Sequence, residues 1–181
     1  RTMNIDLKIS NQSNTNTIKN MWPLYRHDLS AFDTSFVANK HGLFSHDNRV
    51  VSLAENTEQE IAHWWTKPET HFPYIIVADD RPAGFNLIAN CSGLTEKINA
   101  NYVVHEFFVL HAWRGKGVAE EAAIQGFNKH KGKWEVCTWP NHQCAIAFWR
   151  RVIKKYTSNK YSENEIDHAW GRRVAFTISN K

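Results

Sequence analysis

A strand, a turn with two glycines and the start of a helix follow one another between residues 102 and 127. Residues 102–110 are rich in Val and Phe and predict a strand. Arg114-Gly115-Lys116-Gly117 follows, and Val118, Ala122, Ile124, Gln125 and Phe127 have helical spacing. Glycines at 115 and 117 allow positive φ and let the backbone come close to a ligand. The first N–H groups of the helix lack internal partners and lie at the positive end of its dipole. Arg114 and Lys116 add charge there. Residues 114–119 are therefore expected to seat a diphosphate, the plainer alternative being an ordinary glycine-rich turn. A P-loop would need a longer glycine loop ending in Lys-Ser/Thr. A dinucleotide site would need GxGxxG on an early strand, whereas position 120 is Glu.

The surrounding chain suits a globular enzyme. Its 181 residues fit one domain, residues 1–181. No apolar run approaches the ~20 residues of a membrane span, and no charged-then-apolar leader is seen, so a cytoplasmic protein with no membrane partner is expected. Cys91, Cys137 and Cys144 cannot all pair and form no CxxC, which reads as free thiols. The net charge of +4 raises a nucleic-acid partner, but Lys and Arg are spread along the chain, and the local groups suit a phosphorylated small molecule as well. No nucleic-acid partner and no metal are expected.

The elements read β-α-α-β-β-β-α-β-α-β-β, a mixed α/β layout. Residues 5–10 alternate as a strand, and residues 17–28 have helical spacing that Pro23 should disturb or shorten. Residues 32–48 read as an irregular loop. Thr57 and Glu60 have the spacing of a capping box ahead of Ile61, Trp64 and Trp65. Asp79-Asp80-Arg81-Pro82-Ala83 reads as a hairpin turn between strands at 74–78 and 84–89. A strand at 134–138, a helix at 145–156 and strands near 161–165 and 173–179 complete the order.

The run from Glu106 through Arg114-Gly115-Lys116-Gly117-Val118-Ala119 resembles motif A of the GNAT acetyltransferases, whose core is Arg/Gln-x-x-Gly-x-Gly/Ala. Arg114, Gly117 and Ala119 hold the three signature positions. Trp134-Glu135-Val136 and the run from Asn141 to Trp149 are similar to the fifth strand and motif B. Glu106-Phe-Phe-Val, Lys133-Trp-Glu-Val and Ala147-Phe-Trp-Arg resemble a bacterial subgroup of small-molecule acetyltransferases, to which kasugamycin-type aminoglycoside acetyltransferases are similar. The resemblance implies a central, mostly antiparallel sheet whose fourth and fifth strands splay apart, flanked by helices. It also implies acetyl-CoA as co-substrate. Its diphosphate would lie on Arg114, Gly115, Lys116, Gly117, Val118 and Ala119, and its pantetheine arm along Phe108, Val109 and Leu110, with Asn141 and Trp149 beside it. Many relatives carry a Tyr where Trp149 stands; Trp has no proton to give to the leaving thiolate, so Trp149 either packs against the arm or belongs to the core.

Glu106 is the candidate general base, directly or through water, the alternatives being a solvated Glu or one that only holds the substrate ammonium. Its neighbour His105 should face the other side of the strand. Cys137 and Cys144 flank the expected cleft and read as small apolar fillers rather than nucleophiles. The resemblance places the acceptor among Trp22, Tyr25, Asp28, Asp33 and Trp64, with Glu163, Glu165 and Asp167 adding negative charge at the mouth. Aromatic walls with carboxylates suit an amine. The expected activity is transfer of acetyl to a primary amine of a small molecule, aminoglycoside-type antibiotics included, which would give antibiotic resistance. A protein or peptide acceptor, and a fold that binds CoA or a partner without catalysis, are the alternatives. A monomer or homodimer is expected.

Overall fold

A computed structural model describes residues 2–45 and 47–181. The elements follow as β1 (Ile5–Ile9), α1 (Thr15–Leu29), α2 (Leu53–Ile61), β2 (His71–Ala78), β3 (Arg81–Asn90), β4 (Tyr102–Val109), α3 (Val118–Lys129), β5 (Lys133–Thr138), α4 (Gln143–Tyr156), β6 (Ser162–His168) and β7 (Gly171–Ser179). This is the mixed α/β order read from the sequence. The strands form one sheet in the order β1-β2-β3-β4-β5-β7-β6. Every neighbouring pair is antiparallel except β4 and β5.

The sheet separates two apolar cores. On one face Val118, Ala122 and Phe127 of α3 and Trp149 and Val152 of α4 pack with Ile76, Val104 and Val136. On the other, Ile18, Trp22 and Tyr25 of α1 and Ile61 of α2 pack with Phe85, Leu87 and Phe108.

Two local expectations fail, each for a physical reason, and the expected loop at 32–48 is largely irregular. The first helix runs through Pro23 to Leu29. Burial of Ile18, Met21, Trp22, Tyr25 and Leu29 against the sheet outweighs the ~3 kcal/mol cost of an interior proline. The capping box of α2 is Ser52 with Glu55, not Thr57 with Glu60. The same spacing occurs five residues earlier, and Glu60 is instead drawn to Trp22, whose Nε1–H donates to it at 2.5 Å. Residues 32–48 contain one short turn of 3-10 helix, Thr34–Phe36, opened by Asp33; His46 of this stretch lies outside the described residues.

The hairpin between β2 and β3 is as expected, with Asp79 and Asp80 both at positive φ. Across β3 and β4 the register slips: Leu87 faces Glu106, but Ile88 faces Val104. His105 is the extra residue of a β-bulge. The bulge breaks the alternation of side chains, so His105 and Glu106 come out on the same face, against the expectation for a regular strand.

Candidate active site

The opening in the sheet follows from strand pairing. β4 and β5 are joined only at Tyr102/Trp134, Val103/Glu135 and Val104/Val136. Beyond that point β4 continues with β3 up to Gly84/Val109, and β5 with β7 up to Thr138/Val174. A V-shaped cleft of about 290 Å³ occupies the gap. Its walls carry Tyr25, Arg26 and Leu29 of α1 from one face of the sheet and Ala145 and Trp149 of α4 from the other.

The glycine turn joins β4, one border of this gap, to α3. Gly115 has φ +72° and Gly117 φ +82°, and nothing lies within 4 Å of where a Cβ would stand on either. Gly117 is the N-cap of α3 and supplies no side-chain cap. The first amides of α3 therefore face outward with no helical carbonyl to bond. Glu120 and Glu121 would oppose an anion there, but both are drawn away. Lys155 donates to Glu120 at 2.5 Å, and Gln125 donates to Glu121 at 2.9 Å. The open turn and its unmatched donors fit a diphosphate.

Arg114 does not lie over the turn. Its Nε donates to Val109 O at 2.7 Å, and its guanidinium pairs with Asp28 at the end of α1. The main chain of β4 alternates in direction. Leu110 N–H is bonded to Ala83 O, on the β3 side, so Phe108 also faces β3, while Phe107 and Val109 turn their main-chain groups away from it. Of residues 108–110, expected to hold the pantetheine arm, only Val109 turns that way, and its carbonyl is taken by Arg114, which leaves its N–H.

Inside the cleft, Tyr25 Oη donates to Glu106 Oε2, and His105 Nδ1 lies 3.2 Å from Glu106 Oε1. Burial, and next the Glu106 charge, hold the Tyr25 phenol well above its ordinary range. It stays a donor at any working pH, and fixes one carboxylate oxygen while the other faces His105.

Comparison with solved structures decides the architecture. An acetyltransferase from Thermus thermophilus superposes with a TM-score of 0.62 over 97% of both chains at 8% identity. The aminoglycoside acetyltransferase AAC(6')-Ib, crystallised with coenzyme A and kanamycin, gives 0.63 over 98% of this chain and 95% of its own, at 14% identity. RimJ from Mycobacterium smegmatis, in complex with CoA-disulfide, gives 0.62 over 97% of this chain and 81% of its own, at 13% identity. This chain has the GNAT fold. No protein-family model matches its sequence, and no curated protein is detectably similar to it.

Within the GNAT fold the other expected site residues divide into three groups. Tyr25 and Trp149 line the cleft, and the Trp149 ring stands edge-on to Phe107 at 5.1 Å. Trp22 and Trp64 are buried in the core beneath it and are absent from its walls. Asp28, Asp33 and Asn141 have other partners. Asp28 holds Arg114. Asp33 accepts from Ser35 N–H at 2.8 Å. Asn141 donates to Phe32 O at 2.7 Å, next to a Phe32–His142 ring stack at 3.7 Å. These contacts tie the segment after α1 to the rim of the cleft.

The acids expected at the mouth are also engaged: Glu163 with Arg150, and Glu165 and Asp167 with Arg172. Cys137 lines the cleft, but burial first, and then Glu135, push its thiol far up, so it stays protonated. Glu135, Cys137 and His168 bring potential ligand atoms within 4.8 Å. Trp170 N–H donates to His168 Nδ1 at 3.1 Å, which places the ring proton on Nε2, toward Glu135 at 2.9 Å. That tautomer turns a hydrogen, not a lone pair, toward the cluster. Reading the sequence missed Arg26 and Arg173 as cleft residues. Their signal would have been a pairing of α1 with β7 across the gap, which no local pattern carries.

Proposed function

We propose that this chain is an N-acetyltransferase that moves acetyl from acetyl-CoA to a primary amine of a small molecule, by direct transfer in a ternary complex. The carrying observation is Glu106, held by Tyr25 inside the cleft between the splayed β4 and β5, on the strand that runs on into the open glycine turn.

Acetyl-CoA supplies the activated thioester when bound. The amides at residues 115–119 would seat its diphosphate, and the Val109 N–H and the Phe107 main chain would pair with its arm. Glu106 takes a proton from the attacking amine, directly or through water. A C–N bond forms, the C–S bond breaks, and CoA leaves as a thiolate that water protonates. The N–H groups on the open edge of β4 are placed to stabilise the developing oxyanion. No side chain is assigned as general acid, because Trp149 cannot serve. The buried, protonated Cys137 argues against a covalent acyl-enzyme. The sequence resemblance raises aminoglycoside-type antibiotics among candidate acceptors, and a reducing cytoplasm suits the free thiols.

Release of free CoA in the presence of an amine panel tests the reading. Glu106→Gln should lower kcat by about 100-fold or more with CoA affinity kept. Gly117→Trp should weaken CoA binding by calorimetry, because the indole fills the open turn. CoA affinity without turnover on any amine would favour a binding protein instead.

A further inference from the structure

The cleft that would receive the acceptor is poorly suited to a polycation. Glu106 is the one carboxylate among its lining residues, whereas Arg26 and Arg173 both contribute to its walls. The acids nearby are occupied: Asp28 holds Arg114, Glu60 accepts from Trp22, and Glu135 faces His168. A second amine entering next to Glu106 would therefore meet two guanidiniums and no further carboxylate on the walls.

The two arginines are built in rather than loose. Arg26 lies 4.1 Å over the Phe36 ring, and its Nε is a buried donor with no hydrogen-bond partner, 3.6 Å from Glu60. Arg173 lies 5.2 Å over the Trp139 ring. It donates to Arg172 O at 2.9 Å, and among the described residues no carboxylate hydrogen-bonds to it. Glu106 and Asp33 act on it through space. A half-buried guanidinium stacked on indole offers a fixed fork, and that fork matches a carboxylate.

We infer that the acceptor amine carries a carboxylate, which Arg173, assisted by Arg26, binds while the amine lies at Glu106. This rests on the acetyltransferase reading and narrows it: the acceptor is an amino acid-like compound or an amino sugar bearing an acid group, not a polycationic aminoglycoside. Arg173 is then a specificity residue.

The test uses paired amines that differ by the acid group: glycine with methylamine, γ-aminobutyrate with propylamine and muramic acid with glucosamine, with kanamycin as a polycation. The full chain and acetyl-CoA are assayed by thiol release. The acid-bearing member of the accepted pair should have a kcat/KM at least about tenfold higher than its twin. Arg173→Gln should remove that preference mainly through KM, with kcat and CoA affinity held, and Arg173→Lys should restore part of it. Preference for acid-free amines or kanamycin, or an unchanged ratio in Arg173→Gln, overturns the inference and leaves the acetyltransferase reading intact. Absence of turnover on every amine removes that reading instead. The same pairs are then titrated into the CoA-loaded protein by calorimetry. Binding of the acid-bearing member alone, lost in Arg173→Gln, supports the carboxylate site, and equal binding of both members overturns it.

Discussion

Tyr25 and Glu106 form a unit whose two halves stand 81 positions apart in the chain. The place of Glu106 on β4 was legible, because a Val- and Phe-rich run ahead of the glycine turn reads as a strand. The role of Tyr25 was not. Its helical spacing with Met21 and Trp22 shows that it faces the sheet, but which strand residue it meets depends on how α1 crosses β4. Tyr25→Phe keeps the ring packing against Phe85 and Phe108 and removes only the donor. It should lower kcat by roughly tenfold, about 1.4 kcal/mol, with CoA affinity unchanged. Equal kcat in steady-state assays of variant and parent would assign Tyr25 to packing alone. The same dependence on distant packing explains Trp22 and Trp64. Aromatic residues ahead of a cleft and aromatic residues beneath it look alike in a sequence, and only burial separates them.

Elements were read well where a local signal fixes them. Asp79-Asp80 marks its turn because short polar side chains tolerate positive φ. The helix after Gly117 follows from apolar spacing. Elements were misread where partners compete. Two Ser/Thr-x-x-Glu runs precede Trp64, and packing of Glu60 with Trp22 selects the earlier one as the cap. The β4 bulge was invisible because it is a property of register between two strands, and either strand alone alternates acceptably. Gly84 shows how tightly that register is held. A Cβ there would stand 2.0 Å from Phe108 O, which is main chain and cannot swing away. Gly84→Ala should destabilise the fold by about 2–3 kcal/mol in urea unfolding, since β3 and β4 must separate to admit one methyl group. A loss under half a kcal/mol would mean that the two strands give way easily there.

Across the molecule, histidines couple stability to acidity. Burial lowers the pKa of His63, His71, His130 and His142, with His105, His63, Lys129 and Arg114 respectively as the next cause. The folded chain keeps these rings neutral where the unfolded chain would protonate them, below the ordinary value of 6.5. The unfolded state then binds more protons, so stability falls as pH drops through that value toward the lowered ones. The Tm should be lower at about pH 5.5 than at about pH 7.5. His130 packs on Phe72 at 4.4 Å and bonds Tyr74 Oη at 2.9 Å. His130→Phe should flatten the Tm profile between those two pH values, and an unchanged slope in scanning calorimetry would clear His130 of the effect. The seven strands and their order along the chain were read from residue patterns, the splay came from the motif A resemblance, and the order of strands across the sheet was not foreseen. The overall basic charge was legible, but its distribution was not: it takes the fold to bring Arg26 and Arg173 to one wall.

The splay of β4 from β5 leaves a notch that runs through the sheet rather than a bowl on one side of it. Such a passage has two doors. On the proposed activity, a long acyl donor coming past α4 and an amine coming past α1 would meet end to end without sharing a corridor. Neither would have to leave before the other entered, and the spent donor could back out while the acetylated product departed the opposite way.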